Sequence, residues 1–269
     1  MTGIIIPSRR IWTRQPQRPV SIDRSSPVGS ALIDAICPSI GISLLRGISP
    51  SVTGGVLAAD ADSLGWKFAD NTTNFTEYAG SALQLSGSWS VLAVYRLTQI
   101  PSTTVRVCGD FGASSYGYTV APSTTNFRAI FAGGANTILT GSAISTKRKV
   151  DVLTYNGSAG QYYENGALTA GPTSGAYTAP SAFQYFRIGK DNSTGNSAAA
   201  ITSLVLFFNR ALTASEVKWI SANPWRIFKP RTRRTIINLG TSGLSSVYAD
   251  SALTYYIRSL LSSDSGIQY

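Results

Sequence analysis

Histidine is absent from the 269 residues, which removes Ser-His-Asp triads and imidazole-ligated metal sites at once. The remaining chemistry must come from carboxylates, phenols and cations. Cleaving a glycosidic bond needs a carboxylic acid beside a carboxylate. The closest acidic pair, Asp60 and Asp62, sits in an Ala-Asp-Ala-Asp run that reads as a loop. No other grouping of acids along the chain meets the geometric requirement for catalysis, so the protein is expected not to be an enzyme.

Tyrosines offer a second chemistry, because an exposed ring can stack on a sugar while nearby polar groups bind its hydroxyls. Tyr116, Tyr118, Tyr162 and Tyr163 are the candidates. Aromatics at strand spacing also serve as core or cross-strand pairs, and both readings stay open at this point.

Charge is the third. The net charge of +10 is unevenly placed: residues 1–24 carry five arginines and one aspartate, and residues 218–269 carry seven basic and two acidic residues. The part between them is nearly neutral. Arg9, Arg10, Trp12, Arg14 and Arg18 near the start, with Arg226, Lys229, Arg231, Arg233 and Arg234 near the end, are expected to anchor the chain to an acidic surface. These stretches hold few aromatics (Trp12, Trp225, Phe228) and no nucleic-acid reading motif. An acidic protein neighbour is therefore expected rather than nucleic acid.

Only 13% of the residues are charged, about half the usual share, so Ser, Thr, Asn and Gly must cover the surface. Such surfaces suit proteins packed in an assembly. Cys37 and Cys108 are too few for a disulfide framework and read as small buried hydrophobes. The apolar run Ile4-Ile5-Ile6 precedes the first charges and is too short for a secretory signal. No apolar stretch approaches the ~20 residues that span a bilayer. Synthesis in the cytoplasm, with no membrane partner, is the expectation.

The elements that must position these groups are short strands. Lys149 to Leu168 reads as two strands joined at Asn156-Gly157, with Asn165-Gly166 turning the chain back again. Asn-Gly tolerates the positive φ that tight hairpins require. Ala31–Cys37, Gly65–Ala69, Ser81–Leu85, Ser88–Leu97, Val105–Cys108, Tyr116–Val120, Phe127–Phe131, Phe186–Lys190 and Ala199–Phe208 read as further strands. Strands recurring about every ten residues with turn signals between them indicate a sandwich or barrel. One helix is expected after Leu212, where Thr213 and Glu216 form a capping box and Asn223-Pro224 ends it. Three regions follow: a basic extended arm over 1–27, a β-sandwich over 28–225, and a basic extension with a short repeat over 226–269.

The succession Trp89-Ser90-Val91-Leu92-Ala93-Val94-Tyr95, Val150-Asp151-Val152-Leu153-Thr154-Tyr155-Asn156-Gly157, Tyr162-Tyr163-Glu164-Asn165-Gly166, Phe186-Arg187-Ile188-Gly189 and Ala211-Leu212-Thr213-Ala214-Ser215-Glu216-Val217 resembles the laminin-G-like, concanavalin A-like jelly roll. That resemblance implies an all-β antiparallel sandwich with one short C-terminal helix and extended arms. It also raises calcium, which relatives bind through loop oxygens and for which Asp110, Asp191 and Asn192 are the candidates; no cofactor is otherwise expected. The flanks Pro7–Gln17 and Ser221–Phe228 are similar to segments beside such domains in tailed bacteriophages and prophages. This implies a virion structural protein, a capsid-decoration or other particle-surface component gripping capsid or tail neighbours through its Arg-rich arms, with a homo-oligomer such as a trimer expected. The alternative is a carbohydrate-binding module of a tail or fibre protein that recognises host surface glycans.

Overall fold

A computed structural model describes residues 15, 20–37, 43–60, 63–68, 75–79, 83–112, 116–132, 136–178, 183–190 and 198–230. The chain divides into two units, Met1–Arg231 and Thr232–Tyr269, and every described residue belongs to the first.

Strands are numbered in chain order. One sheet is seven-stranded and antiparallel, in the order β11 (Asn136–Ala143), β10 (Asn126–Ala132), β9 (Tyr116–Val120), β8 (Cys108–Gly112), β15 (Phe183–Ile188), β6 (Thr76–Ala79) and β3 (Val52–Thr53). The second runs β14 (Ala167–Ser174), β13 (Ala159–Glu164), β12 (Arg148–Tyr155), β7 (Trp89–Leu97), β16 (Ala200–Phe208), β5 (Ser63–Lys67) and β4 (Val56–Asp60), with β2 (Leu32–Ile36) also paired to β16. The one α-helix among the described residues, α1 (Ala214–Ala222), and a 3₁₀ turn over Pro224–Ile227 follow, and β17 (Phe228–Pro230) then pairs with β1 (Val20–Ile22). The expected antiparallel sandwich and single capped helix are therefore present. Thr213 and Glu216 form both bonds of the capping box.

Alternation along the strands decides what each face covers. In β7, Trp89, Val91, Ala93, Tyr95 and Leu97 enter the core between the sheets, while Leu92 and Val94 enter a second core on the opposite face. In β16, Val205 and Phe207 point one way and Leu204, Leu206 and Phe208 the other. The second core is closed by Val217 and Ile220 of α1, by Trp225 and Ile227, and by Ile22 and Phe228 of the β1–β17 ladder. A sheet buried on both faces reads as continuous apolar sequence, which explains why all nine residues of β16 are buried. Burial of this kind stabilises by about 1.5–3 kcal/mol for each large apolar side chain.

The turn at Asn165 (φ 50°) and Gly166 (φ 87°) uses the left-handed conformations that Asn and Gly adopt at least cost. The Asn165 carbonyl oxygen Oδ1 accepts the Val150 N–H at 2.9 Å, and Lys218 of α1 lies where a Gly166 Cβ would be, with its Cα at 3.2 Å.

Several expectations are corrected. Ser81–Leu85 is not a strand over its described residues; the neighbouring strand is β6, and Leu83 and Leu85 instead plug the inter-sheet core. Strand β8 starts at Cys108 rather than at Val105, although Val105 and Val107 still donate to Pro122 and Val120. Strands β4 and β11 went unforeseen, as did the β1–β17 ladder, which forms from segments read as free arms. Gln15 is buried against the body. Its amide donates to the Leu64 carbonyl and to Cys37 Sγ at 3.0 Å each, and its Oε1 accepts the Leu64 N–H at 2.6 Å.

Candidate functional site

The outer face of the seven-stranded sheet carries a row of directly paired positions running Ile138, Ile130, Thr119, Gly109, Arg187 and Glu77. Its Arg187 end is where polar and aromatic groups converge. Phe186 and Ile188 occupy the inter-sheet core, so strand alternation sends Tyr185 and Arg187 to the other face. Arg187 Nε donates to Glu77 Oε2 at 2.9 Å, and each side chain is 13% exposed. The guanidinium carbon lies 4.3 Å from the centroid of Phe75 and 3.9 Å from that of Tyr185. Such stacking adds to the ion pair by attraction to the ring quadrupole. Ser51, exposed at the rim, donates its hydroxyl to Glu77 Oε1 at 3.2 Å.

Gly189 follows with φ +95° and with the Phe68 ring 2.6 Å from where a Cβ would stand. Only glycine fits such a bend without strain. Beyond it, Lys190 Nζ lies 5.6 Å from the Phe75 centroid. Two cations, one carboxylate, a hydroxyl and two half-buried rings thus share one end of the sheet. Planar hydrogen-bonding groups beside aromatic rings are what a sugar requires: stacking for its C–H face and fixed partners for its hydroxyls.

A second polar cluster lies between the sheets. Asp151 and Glu164 are directly opposed Cα partners on β12 and β13. Asp151 Oδ2 accepts from Tyr95 at 2.6 Å and from Tyr162 at 2.7 Å, while Oδ1 has no hydrogen-bond partner. Burial, only partly offset by the two phenols, pushes the Asp151 carboxyl up to about 7. Glu164 instead pairs with Lys149 at 2.9 Å. The Lys149 ammonium also donates to Ser142 at 3.0 Å and sits 4.2 Å from the centroid of Phe127. A third cluster ties Tyr177 across the sandwich. Its N–H donates to Tyr155 Oη at 3.0 Å, its hydroxyl to Asp110 Oδ2 at 2.9 Å, and its ring packs edge-on to Trp89.

Most of the residues singled out from sequence lie elsewhere than expected. Tyr118 and Tyr162 are fully buried and Tyr163 nearly so; none of the three offers a ring to solvent, because the strands that carry them point them into the two cores. Tyr116 is in backbone register with Phe111, which pairs in turn with Tyr185 at the outer face. Asp110 lies on strand β8 rather than in a loop: it is fully buried, accepts from the Tyr118 N–H and Tyr177, and is pushed up to about 7 by burial. Asp191 and Asn192 lie outside the described residues, as do Asp62, Arg9, Arg10, Trp12, Arg14, Arg18, Arg231, Arg233 and Arg234. Among the described residues, no three His, Cys, Asp or Glu side chains group to hold a metal. Asp60 ends strand β4 and pairs with Arg96 at 2.7 Å. Of the anchoring candidates, Arg226 stacks on Trp219 at 4.7 Å and the half-exposed Lys229 lies 3.8 Å from Asp23. Arg187, Glu77, Tyr185, Phe75 and Lys190 escaped attention, although aromatic and basic residues alternating in Phe183–Lys190 were a signal available for them.

Comparisons with known proteins follow this geometry. Residues 64–218 match the Laminin_G_3 family, described as the Concanavalin A-like lectin/glucanases superfamily. No curated protein matches by sequence. The chain is similar in structure to Trypanosoma rangeli sialidase in complex with a difluoro-KDN compound, with a TM-score of 0.55 and 16% identity over 77% of this chain and 36% of that one. The same sialidase in complex with sialic acid gives a TM-score of 0.54 and 15% identity over 71% of this chain and 33% of that one. The binding domain of Paraclostridial Mosquitocidal Protein 1 gives a TM-score of 0.60 and 11% identity over 71% of this chain and 52% of that one. The chain thus spans about a third of the sialidases and about half of the mosquitocidal protein's binding domain. At these identities the likeness is one of fold.

The comparisons also correct the expectation that the protein is not an enzyme, because the structures that share this fold include sialidases. With more than half of its residues matched and the two-sheet architecture in place, the chain belongs to the Concanavalin A-like lectin/glucanases superfamily.

Proposed function

We propose that this domain binds glycans on the outer face of the seven-stranded sheet, around Arg187. The observation that carries the reading is the immobilisation of the Arg187 guanidinium between the Phe75 and Tyr185 rings with Glu77 on its Nε. An arginine fixed in this way holds one geometry, so little rotamer entropy is lost when a ligand arrives. Family membership supports the reading. Screening the full chain on a glycan array, then comparing Arg187→Ala with the parent on the best ligand, tests it. A loss of about tenfold or more, matching a charge-assisted contact, with the variant still folded, is expected; an array with no binder ends the proposal.

A second reading concerns placement. The Pro- and Arg-rich flanks resemble segments of phage proteins, and Val20 and Pro230, the described residues next to them, are paired. We propose that the body is displayed on a virion, with those flanks gripping an acidic neighbour. Deleting residues 1–19 and 231–269 while keeping the β1–β17 ladder should abolish incorporation into particles; normal incorporation would refute the anchoring role.

A further inference from the structure

Lys190 is 6% exposed, and among the described residues it has no carboxylate partner; its only described contact is the Phe75 ring. A cation so nearly withdrawn from water is costly unless an anion meets it. The surroundings sharpen the point. Arg187 stacks on the same ring, and Glu77, already engaged by Arg187 Nε and by the Ser51 hydroxyl, is the one carboxylate described there. Among the described residues, this end of the sheet therefore holds one positive charge more than it balances. Asp70 and Asp191 lie outside the described residues.

We infer that the glycan bound here is acidic, with its carboxylate or sulfate seated against the Lys190 ammonium and its ring edge against Phe75 and Tyr185. The inference rests on the glycan-binding reading above and adds the class of sugar to it. A neutral sugar would cover Lys190 without neutralising it, and leaving a covered charge unpaired is what makes a site reject an analogue. An anion supplies the missing partner and is also drawn to the site from a distance, so its binding weakens as salt rises.

The test uses the full chain and four soluble probes: sialyllactose, a glucuronic-acid disaccharide, 6-sulfolactose and lactose, each titrated at low and high salt. Binding of at least one acidic probe about tenfold tighter than lactose, weakened by salt, is expected. The stronger of the carboxylated and sulfated arms identifies the acid group. Lys190→Met should remove the preference for acidic probes without weakening lactose, and Lys190→Arg should restore part of it. Equal affinity for lactose and the acidic probes overturns the inference while leaving glycan binding intact. Failure of all four probes and of the glycan array brings down both. A preference for acidic probes that survives in a folded Lys190→Met variant overturns the seat assigned here.

Discussion

Asp151 and Glu164 oppose each other across the β12–β13 ladder but take different partners: two phenols close on Asp151, whereas the Lys149 ammonium closes on Glu164. Directly opposed acids on one strand pair are unfavourable when both are charged. The arrangement avoids this by burying one carboxyl so deeply that it holds its proton to about 7 and by neutralising the other with an ion pair.

The first prediction concerns that proton. An acid whose folded value is raised from 3.8 to about 7 binds protons more tightly in the folded than in the unfolded chain, so its contribution to stability is present below 3.8 and is lost as pH rises toward 7. Asp151→Asn keeps an acceptor for Tyr95 and Tyr162 and removes the charge. The variant should be more stable than the parent at pH 8, by about 1–3 kcal/mol at ~1.4 kcal/mol per unit, with the gap closing by pH 4. Denaturant melts at the two pH values measure it, and a variant weaker than its parent at pH 8 contradicts the account.

Glu216 provides the opposite sign. Its carboxyl is lowered to about 2, first by Arg210, which binds both its oxygens, and then by Thr213. Its stabilisation is therefore present above about 4.5 and lost as pH falls toward 2. Glu216→Ala should cost about 1 kcal/mol at pH 7, the usual value of a helix cap, and close to nothing at pH 2. A cost unchanged by pH would point to lost packing instead.

Gln15 behaves as a detached piece of ladder, with one amide meeting both the N–H and the C=O of Leu64. Gln15→Glu can still accept from the N–H but can no longer donate to the carbonyl while ionised. It should destabilise by about 2 kcal/mol or more at pH 7, exceed Gln15→Ala in cost, and recover at acid pH where the carboxyl regains a donor. Thermal melts of the three proteins rank them, and Glu equal to Gln at pH 7 would show that the plug does not matter.

Gly189→Ala adds a methyl group where Phe68 packs, at a φ of +95°. The variant should lose about 1–3 kcal/mol for the strained backbone. It should also weaken acidic-glycan binding without altering Arg187 itself, because it displaces Lys190. Intact affinity in the variant would separate Lys190 from the site.

What the sequence disclosed follows the range of the forces involved. The Asn-Gly turns, the long strands β7, β12 and β16, and the Thr213–Glu216 cap are set by neighbours within a few residues, so their residue types announce them. Strands β4 and β11 did not, because Val56–Asp60 and Asn136–Ala143 are exposed along much of their length and lack a sustained apolar alternation. The site was least visible. Arg187 meets Glu77 across 110 positions, and Tyr95 meets Asp151 across 56, separations that no local pattern records. Tyr162 and Tyr163 misled for a related reason: their sheet is covered on both sides, so neither parity of β13 marks an outward ring.

The β1–β17 ladder places Val20 opposite Pro230 and Ile22 opposite Phe228. The first and last strands of the body therefore close on themselves like a clasp, and covalent order matters less to this sandwich than adjacency. A circular permutant that joins residues 230 and 20 through a short linker and opens at the exposed Asn156–Ser158 turn keeps every strand pairing of the body. Cargo fused at those new ends would emerge from the turn between β12 and β13.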